Sequence, residues 1–157
     1  MDYLSPLAVA NWFIAKADDC GQRSTLVRLQ RLTYFAHCWS LALYHRPLCD
    51  EYADAYPWGP VFPSIYRCAK DYGSGTIKSL LVADLDHSPT VQAHDPRIAL
   101  LLKIWDTYSS FNDAQLLKVA TEDGGPWHAT VSKNRGRKHP NINEDLIISH
   151  FRSKMQN

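Results

Sequence analysis

The sequence lacks the features of membrane proteins and of secreted disulfide-rich proteins. No stretch approaches the roughly 20 apolar residues that a transmembrane helix needs, and the acidic opening Met1-Asp2-Tyr3 is unlike a signal peptide. There are four cysteines and no CxxC pair among them, so free thiols in a reducing compartment are expected. We therefore expect a cytoplasmic protein with no membrane partner.

An excess of charge of one sign and the common cofactor motifs are also missing. The chain has 17 basic and 16 acidic residues, a net charge of +1, which gives no overall attraction to nucleic acid. It contains no Walker-type or GxGxxG phosphate loop, no HExxH and no Cys/His pair at metal-ligand spacing. The sequence therefore predicts no cofactor, no metal and no enzymatic activity. A Cys–His pair assembled by folding is the enzymatic alternative that stays open.

What the sequence does contain is typical of an ordered helical protein. Apolar residues make up 45% and aromatic residues 11% of the chain, so we expect one domain over residues 1–157. Helical spacing of apolar residues, interrupted by Gly and Pro, predicts helices at Pro6–Asp18, Leu26–His45, Ser64–Tyr72, Pro96–Ser109, Asp113–Glu122 and Glu144–Lys154. Residues 48–61 are predicted to be extended or a short β-hairpin. The expected fold is mainly α, a compact bundle of about six helices with this hairpin-like insertion.

Two tryptophans and one basic run stand apart from the predicted helix faces. Trp58 and Trp127 each adjoin Gly or Pro in segments predicted to be non-helical, where a Trp either locks the segment or contacts a partner. Lys133–His139 forms a basic run with Gly136 inside it. This predicted loop is either a solvated surface, a phosphate contact or a contact with an acidic partner.

Four blocks of the chain resemble one known family. A predicted helix reads LQRLTYFAH, similar to the LQKLLYFAH pattern of the Panacea domain, and AYPWGPV is similar to that family's A-W-x-x-G-P-V. PSIY resembles its PxxY, and GPW its S-P-W. The sequence is thus identified as resembling the Panacea-domain family. The motif positions, expected to be structural, are Leu29, Gln30, Leu32, Tyr34, Phe35, Trp39, Gly59, Pro60, Val61, Tyr66 and Pro126.

This resemblance implies a function as well as a fold. The family includes SocA-like antitoxins and phage-associated proteins of the GepA type, often encoded in prophages, so the expected partner is a cognate toxin neutralised by direct binding. Delivery of the toxin to a cellular protease is the first alternative. A nucleic-acid-binding regulator that uses the basic run is the second, and the sequence leaves self-association open.

A toxin-binding surface is the site that this expectation requires. Large aromatic side chains outside the helices are suited to the centre of an interface, and basic side chains to its rim. The predicted partner-binding residues are Tyr56, Trp58, Arg67, Trp127, Arg135 and Arg137.

Overall fold

The structure is a computed structural model that describes residues 2–84 and 86–156. The helices within those ranges are α1 Pro6–Asp19, α2 Leu26–Tyr44, α3 Pro63–Ala69, α4 Ile98–Tyr108, α5 Asp113–Ala120, α6 Pro126–Lys133 and α7 Glu144–Met155. The strands are β1 Ser24–Thr25, β2 Asp54–Tyr56, β3 Gly59–Val61 and β4 Thr76–Ile77. A mainly α fold with a hairpin insertion is therefore confirmed.

The helices begin where the sequence places capping side chains. Ser5 accepts the Ala8 N–H at 3.1 Å and Thr25 accepts the Arg28 N–H at 3.2 Å, so each satisfies a free donor of the first turn. Asn112 and Gln115 form a reciprocal capping box that begins α5. The predicted starts of α1, α2 and α5 are confirmed by these bonds.

The central element of the fold is α2. It packs against α1, α3, α4, α5 and α7, and its apolar residues are almost completely withdrawn from water, including Leu29, Leu32, Phe35 and Leu41. Burying such side chains supplies most of the stability of a small domain. Because α2 is surrounded, its polar residues are buried too, and these are the residues that hold the neighbouring segments in place.

The predicted extended segment is a β-hairpin with an added edge. β2 and β3 pair in an antiparallel register that brings Asp54 opposite Val61 and Tyr56 opposite Gly59. Residues 140–142 then run along the outer side of β2, since the Ala55 N–H donates to Pro140 O and the Ile142 N–H to Ala53 O, both at 2.8 Å. This pairing attaches the chain just after the basic run to the hairpin.

Two expectations about the helices are wrong. The structure has a seventh helix, α6, so Trp127 lies on a helix and not in a loop. Its cause is Pro126, which occupies the first helical position where a missing N–H costs nothing. The helix predicted from Pro96 begins at Ile98, because the residues before it form a tighter turn whose backbone bonds run from Ile98 N–H to Asp95 O and from Ala99 N–H to Pro96 O.

Candidate protein-binding site

Two adjacent polar residues of α2 hold the hairpin. The Gln30 side chain donates to Phe62 O at 3.1 Å and accepts the Phe62 N–H at 2.8 Å. Arg31 donates to Pro60 O at 3.0 Å and to Trp58 O at 2.5 Å. Gln30 and Arg31 therefore satisfy backbone groups of the turn, of β3 and of the residue that follows it, most of which would otherwise be buried without partners.

The guanidinium of Arg31 is unusual because it is buried without a carboxylate. Arg31 is 3% exposed, and among the described residues no acid lies within ion-pairing distance of it. Burial lowers its pKa to about 10, and the more distant charge of Asp113 only partly offsets this effect. The positive charge is thus directed at the carbonyl groups of the turn.

The turn between β2 and β3 depends on Gly59. Its φ is +121°, a conformation that other residues rarely adopt. A Cβ atom there would lie 2.7 Å from Nη2 of Arg31 and 3.3 Å from Cδ1 of Leu117. Only a glycine lets the turn approach the buried guanidinium this closely.

An aromatic cluster forms the outer surface of the hairpin. Tyr56 stacks on His139, with ring centroids 3.6 Å apart and planes 7° apart, and its edge meets Trp58 at 5.2 Å. The ring of Tyr66, from α3, also contacts Tyr56, with the two ring centroids 6.2 Å apart. Trp58 remains 52% exposed at the turn, so the cluster supports one large apolar side chain in solvent.

Trp127 links α6 to the hairpin that carries this cluster. Its indole Nε1–H donates to Tyr56 O at 2.8 Å, and the side chain is half-buried against the core. The structure therefore gives Trp127 the role of locking the hairpin, which was one of its two predicted roles. Its contact with a partner stays a prediction.

Three arginines lie on the elements that carry the aromatic cluster. Arg67 is exposed on α3, and Arg135 and Arg137 are exposed in the segment that follows α6. We call the surface formed by Tyr56, Trp58, Arg67, Arg135 and Arg137 the hairpin face. Folding brings these predicted site residues to one part of the molecule, although up to about 80 residues separate them in the chain.

His37 and the two buried cysteines, Cys38 and Cys49, lie at the centre of the fold. Burial raises the pKa of the Cys38 and Cys49 thiols well above its usual value, which keeps them neutral. His37 accepts the Cys49 backbone N–H on Nδ1 at 3.2 Å and faces Glu144 with Nε2. These contacts hold the 48–50 segment and α7 against α2.

Sequence reasoning missed two residues of this site. Arg31 appeared only within the LQRLTYFAH block, since a charged residue beside the apolar stripe of a helix is usually exposed. His139 was placed in the basic run, whose role was left open. Its stacking on Tyr56 depends on a left-handed backbone conformation, φ +50°, that no local sequence pattern predicts.

The fold and the site define a mainly α protein that presents an aromatic hairpin flanked by cations. Within the described ranges, no cluster of three or more His, Cys, Asp or Glu is placed to hold a metal ion. Nor does any helix of that part of the chain have both the length and the apolar character that crossing a bilayer demands.

The chain belongs to the family described as antitoxin SocA-like, Panacea domain, whose model matches residues 29–128. It is similar to antitoxin SocA of Caulobacter vibrioides (strain NA1000 / CB15N), with 32% identity over 126 residues. The match covers 76% of this chain and 66% of that relative, so the chain spans just under two thirds of the relative's length. No solved structure matches the chain significantly.

Proposed function

We propose that this protein is an antitoxin that neutralises its cognate toxin by direct binding through the hairpin face. The observation that carries the proposal is that the family match, residues 29–128, contains the hairpin and the α2 residues that hold it. We also propose that residues 1–157 act as one Panacea-like domain, because α1 and α7 pack on the matched α2.

The physical support comes from the exposure and rigidity of Trp58. Interfaces draw most of their binding energy from a few residues, of which Trp is among the most frequent. Arg31 and Gly59 fix the backbone at this Trp, so little conformational entropy is lost when a partner covers it. Arg67, Arg135 and Arg137 supply long-range attraction to an acidic surface.

Neutralisation in cells tests this function. A toxic reading frame adjacent to this gene is co-expressed with the wild type, with Trp58→Ala, or with Tyr44→Ala. Tyr44 is a suitable control because it is 64% exposed and lies at the end of α2, away from the hairpin. We expect the wild type and Tyr44→Ala to restore growth and Trp58→Ala to fail. Full rescue by a folded Trp58→Ala protein would remove Trp58 from the interface.

The adaptor alternative differs in the fate of the toxin. Direct neutralisation leaves the toxin's half-life unchanged when this protein is present, whereas delivery to a protease shortens it. A pulse-chase measurement of the toxin, with and without this protein, separates the two mechanisms. Co-purification of an intact, stoichiometric complex supports direct neutralisation.

A further inference from the structure

A groove lies beside the hairpin face, between the hairpin and the segment after α6. Its volume is about 440 Å³. The apolar residues Ala55, Pro57, Val131 and Pro140 line it together with basic residues. A second cavity of about 500 Å³ shares part of this lining and extends as far as Asn141. The space is large enough for one apolar side chain and its flanking backbone.

The basic residues of the groove have no acidic partners within the described part of the chain. Arg135, Arg137 and Lys138 all line it, and none of them forms an ion pair there. Arg137 contacts the side-chain oxygen of Asn134 at 3.4 Å. His139, also in the lining, has a buried Nδ1 with no hydrogen-bond partner among those residues. The groove therefore carries positive charge that no carboxylate of the described residues neutralises by an ion pair.

We infer that this groove binds an acidic segment of the toxin, in which one apolar side chain enters the groove and the adjacent Asp or Glu residues pair with Arg135, Arg137 and Lys138. The inference rests on the proposed function, because it names the part of the toxin that binds beside Trp58. Arg–carboxylate contacts are charge-assisted and can be bidentate, so they give both strength and orientation.

The same observations favour a polypeptide over nucleic acid. The apolar lining suits a side chain such as Leu, and a phosphate backbone offers nothing equivalent. Glu51 and Asp54 line an adjoining cavity together with Arg67, so the positive charge is confined to the groove and does not continue along the face as a long phosphate backbone would require. The net charge of +1 adds no general attraction. The cationic residues of the groove also lie beyond the matched residues 29–128, which suits a contact that selects one partner.

Fluorescence anisotropy with the full chain tests the inference without the toxin. The probe is a fluorescein-labelled peptide with one Leu between pairs of Glu and Asp. We expect it to bind at low salt and to weaken when the acids are replaced by Ser or the Leu by Gly. The variant Arg135→Glu/Arg137→Glu should bind about tenfold more weakly or worse. The matched variant Arg23→Glu/Lys103→Glu, whose exposed cations do not line the groove, should bind within about twofold of the wild type.

Three results would overturn the inference. One is no binding of the acidic peptide to the wild type at low salt, and another is equal binding by the two charge-reversed variants. The third is tighter binding of a labelled DNA duplex than of the peptide, with that binding lost in Arg135→Glu/Arg137→Glu. Such a result would assign the cations to phosphate contacts.

The failures of the two proposals can be distinguished. If the peptide does not bind in the groove while Trp58→Ala still abolishes neutralisation, the proposed function stands. If the peptide binds but the wild type does not neutralise a toxin, the proposed function fails and the groove stands.

Discussion

At the scale of single residues, Arg31 sets the geometry of the hairpin face. A buried cation is costly unless its donors are used, and this one directs two of them at the carbonyl groups of Trp58 and Pro60. Its Nε has no hydrogen-bond partner in the described structure. Arg31 therefore loses part of its hydration, and its hydrogen bonds fix the backbone of the turn. We regard it as a positioning residue for Trp58.

We expect Arg31→Met to destabilise the protein by about 2 kcal/mol, because two buried carbonyl groups lose charge-assisted donors while the cost of burying the charge is relieved. Arg31→Lys should be intermediate, since an ammonium keeps the charge but cannot reproduce the fork of the guanidinium. Urea unfolding gives the stability, and amide exchange across residues 54–61 should quicken in both variants. Unchanged exchange in Arg31→Met would contradict the positioning role.

Gly59 offers a second test at the same scale. Gly59→Ala places a Cβ atom against a guanidinium that is itself held by two hydrogen bonds, so we expect a loss of about 2–4 kcal/mol. The control is Gly21→Ala, which also has a positive φ, +69°, but has open space around the added atom. It should cost only about 1 kcal/mol. Thermal unfolding compares the two, and equal losses would mean that the contact with Arg31 is unimportant.

At the scale of elements, α5 and α7 are joined by a charged cluster. Glu122, just after α5, contacts His150 Nε2 and Lys154 Nζ of α7, both at 2.6 Å. Burial by itself would raise the pKa of Glu122, but the hydrogen bonds from Lys154 and His150 outweigh it, and the pKa lies below the ordinary value of 4.5. This carboxylate therefore holds α7 in place only while it is ionised.

The sign of the pH dependence follows from that lowered pKa. The unfolded state takes up the proton first as the pH falls below about 4.5, so the stabilisation is complete above that value and is lost as the pH falls through the folded pKa. We expect Glu122→Gln to be less stable than the wild type at pH 7 and to lose less stability between pH 5 and pH 3, values chosen to bracket that range. Urea midpoints measured across this range provide the test. Asp123→Asn, at a fully exposed neighbour, should follow the wild type.

Most of the elements were predictable because their signals are local. The caps at Ser5, Thr25 and Asn112 and the apolar spacing of α2 depend on residues a few positions apart, and the structure keeps them. The helix α6 was missed because it follows Gly124 and Gly125, which were interpreted as ending a helix, and because no side chain caps its start. The available signal for a helix was Pro126, since proline is favoured at the first position of a helix.

The arrangement of the site was predictable only in part. The choice of Tyr56, Trp58 and the arginines followed from residue type and placement outside the predicted core. Their meeting on one face depends on residues 140–142 pairing with β2, a contact between distant parts of the chain. In a hairpin the connecting turn fixes the register of the two strands, but no short turn connects residues 140–142 to β2, so no local signal predicts this pairing.

At the scale of the whole molecule, the hairpin face combines residues that the family model matches with residues that lie beyond the match. The hairpin, Trp127 and α2 from Leu29 onward lie inside the residues matched by the family model, whereas Arg135 and Arg137 lie beyond them. The matched part supplies the scaffold and the exposed aromatic residue, and the later segment supplies the cations. We propose that the charged segment beyond the matched residues helps to select the partner of this chain.

The most direct test of this account is hydrogen–deuterium exchange of the purified protein alone and in complex with its toxin. The account predicts that binding protects residues 54–61 and 134–141, while exchange in α4, on which none of the residues of the hairpin face lies, stays unchanged. Protection confined to α4 or to the end of α2 around Tyr44, with the hairpin exchanging as in the free protein, would contradict it.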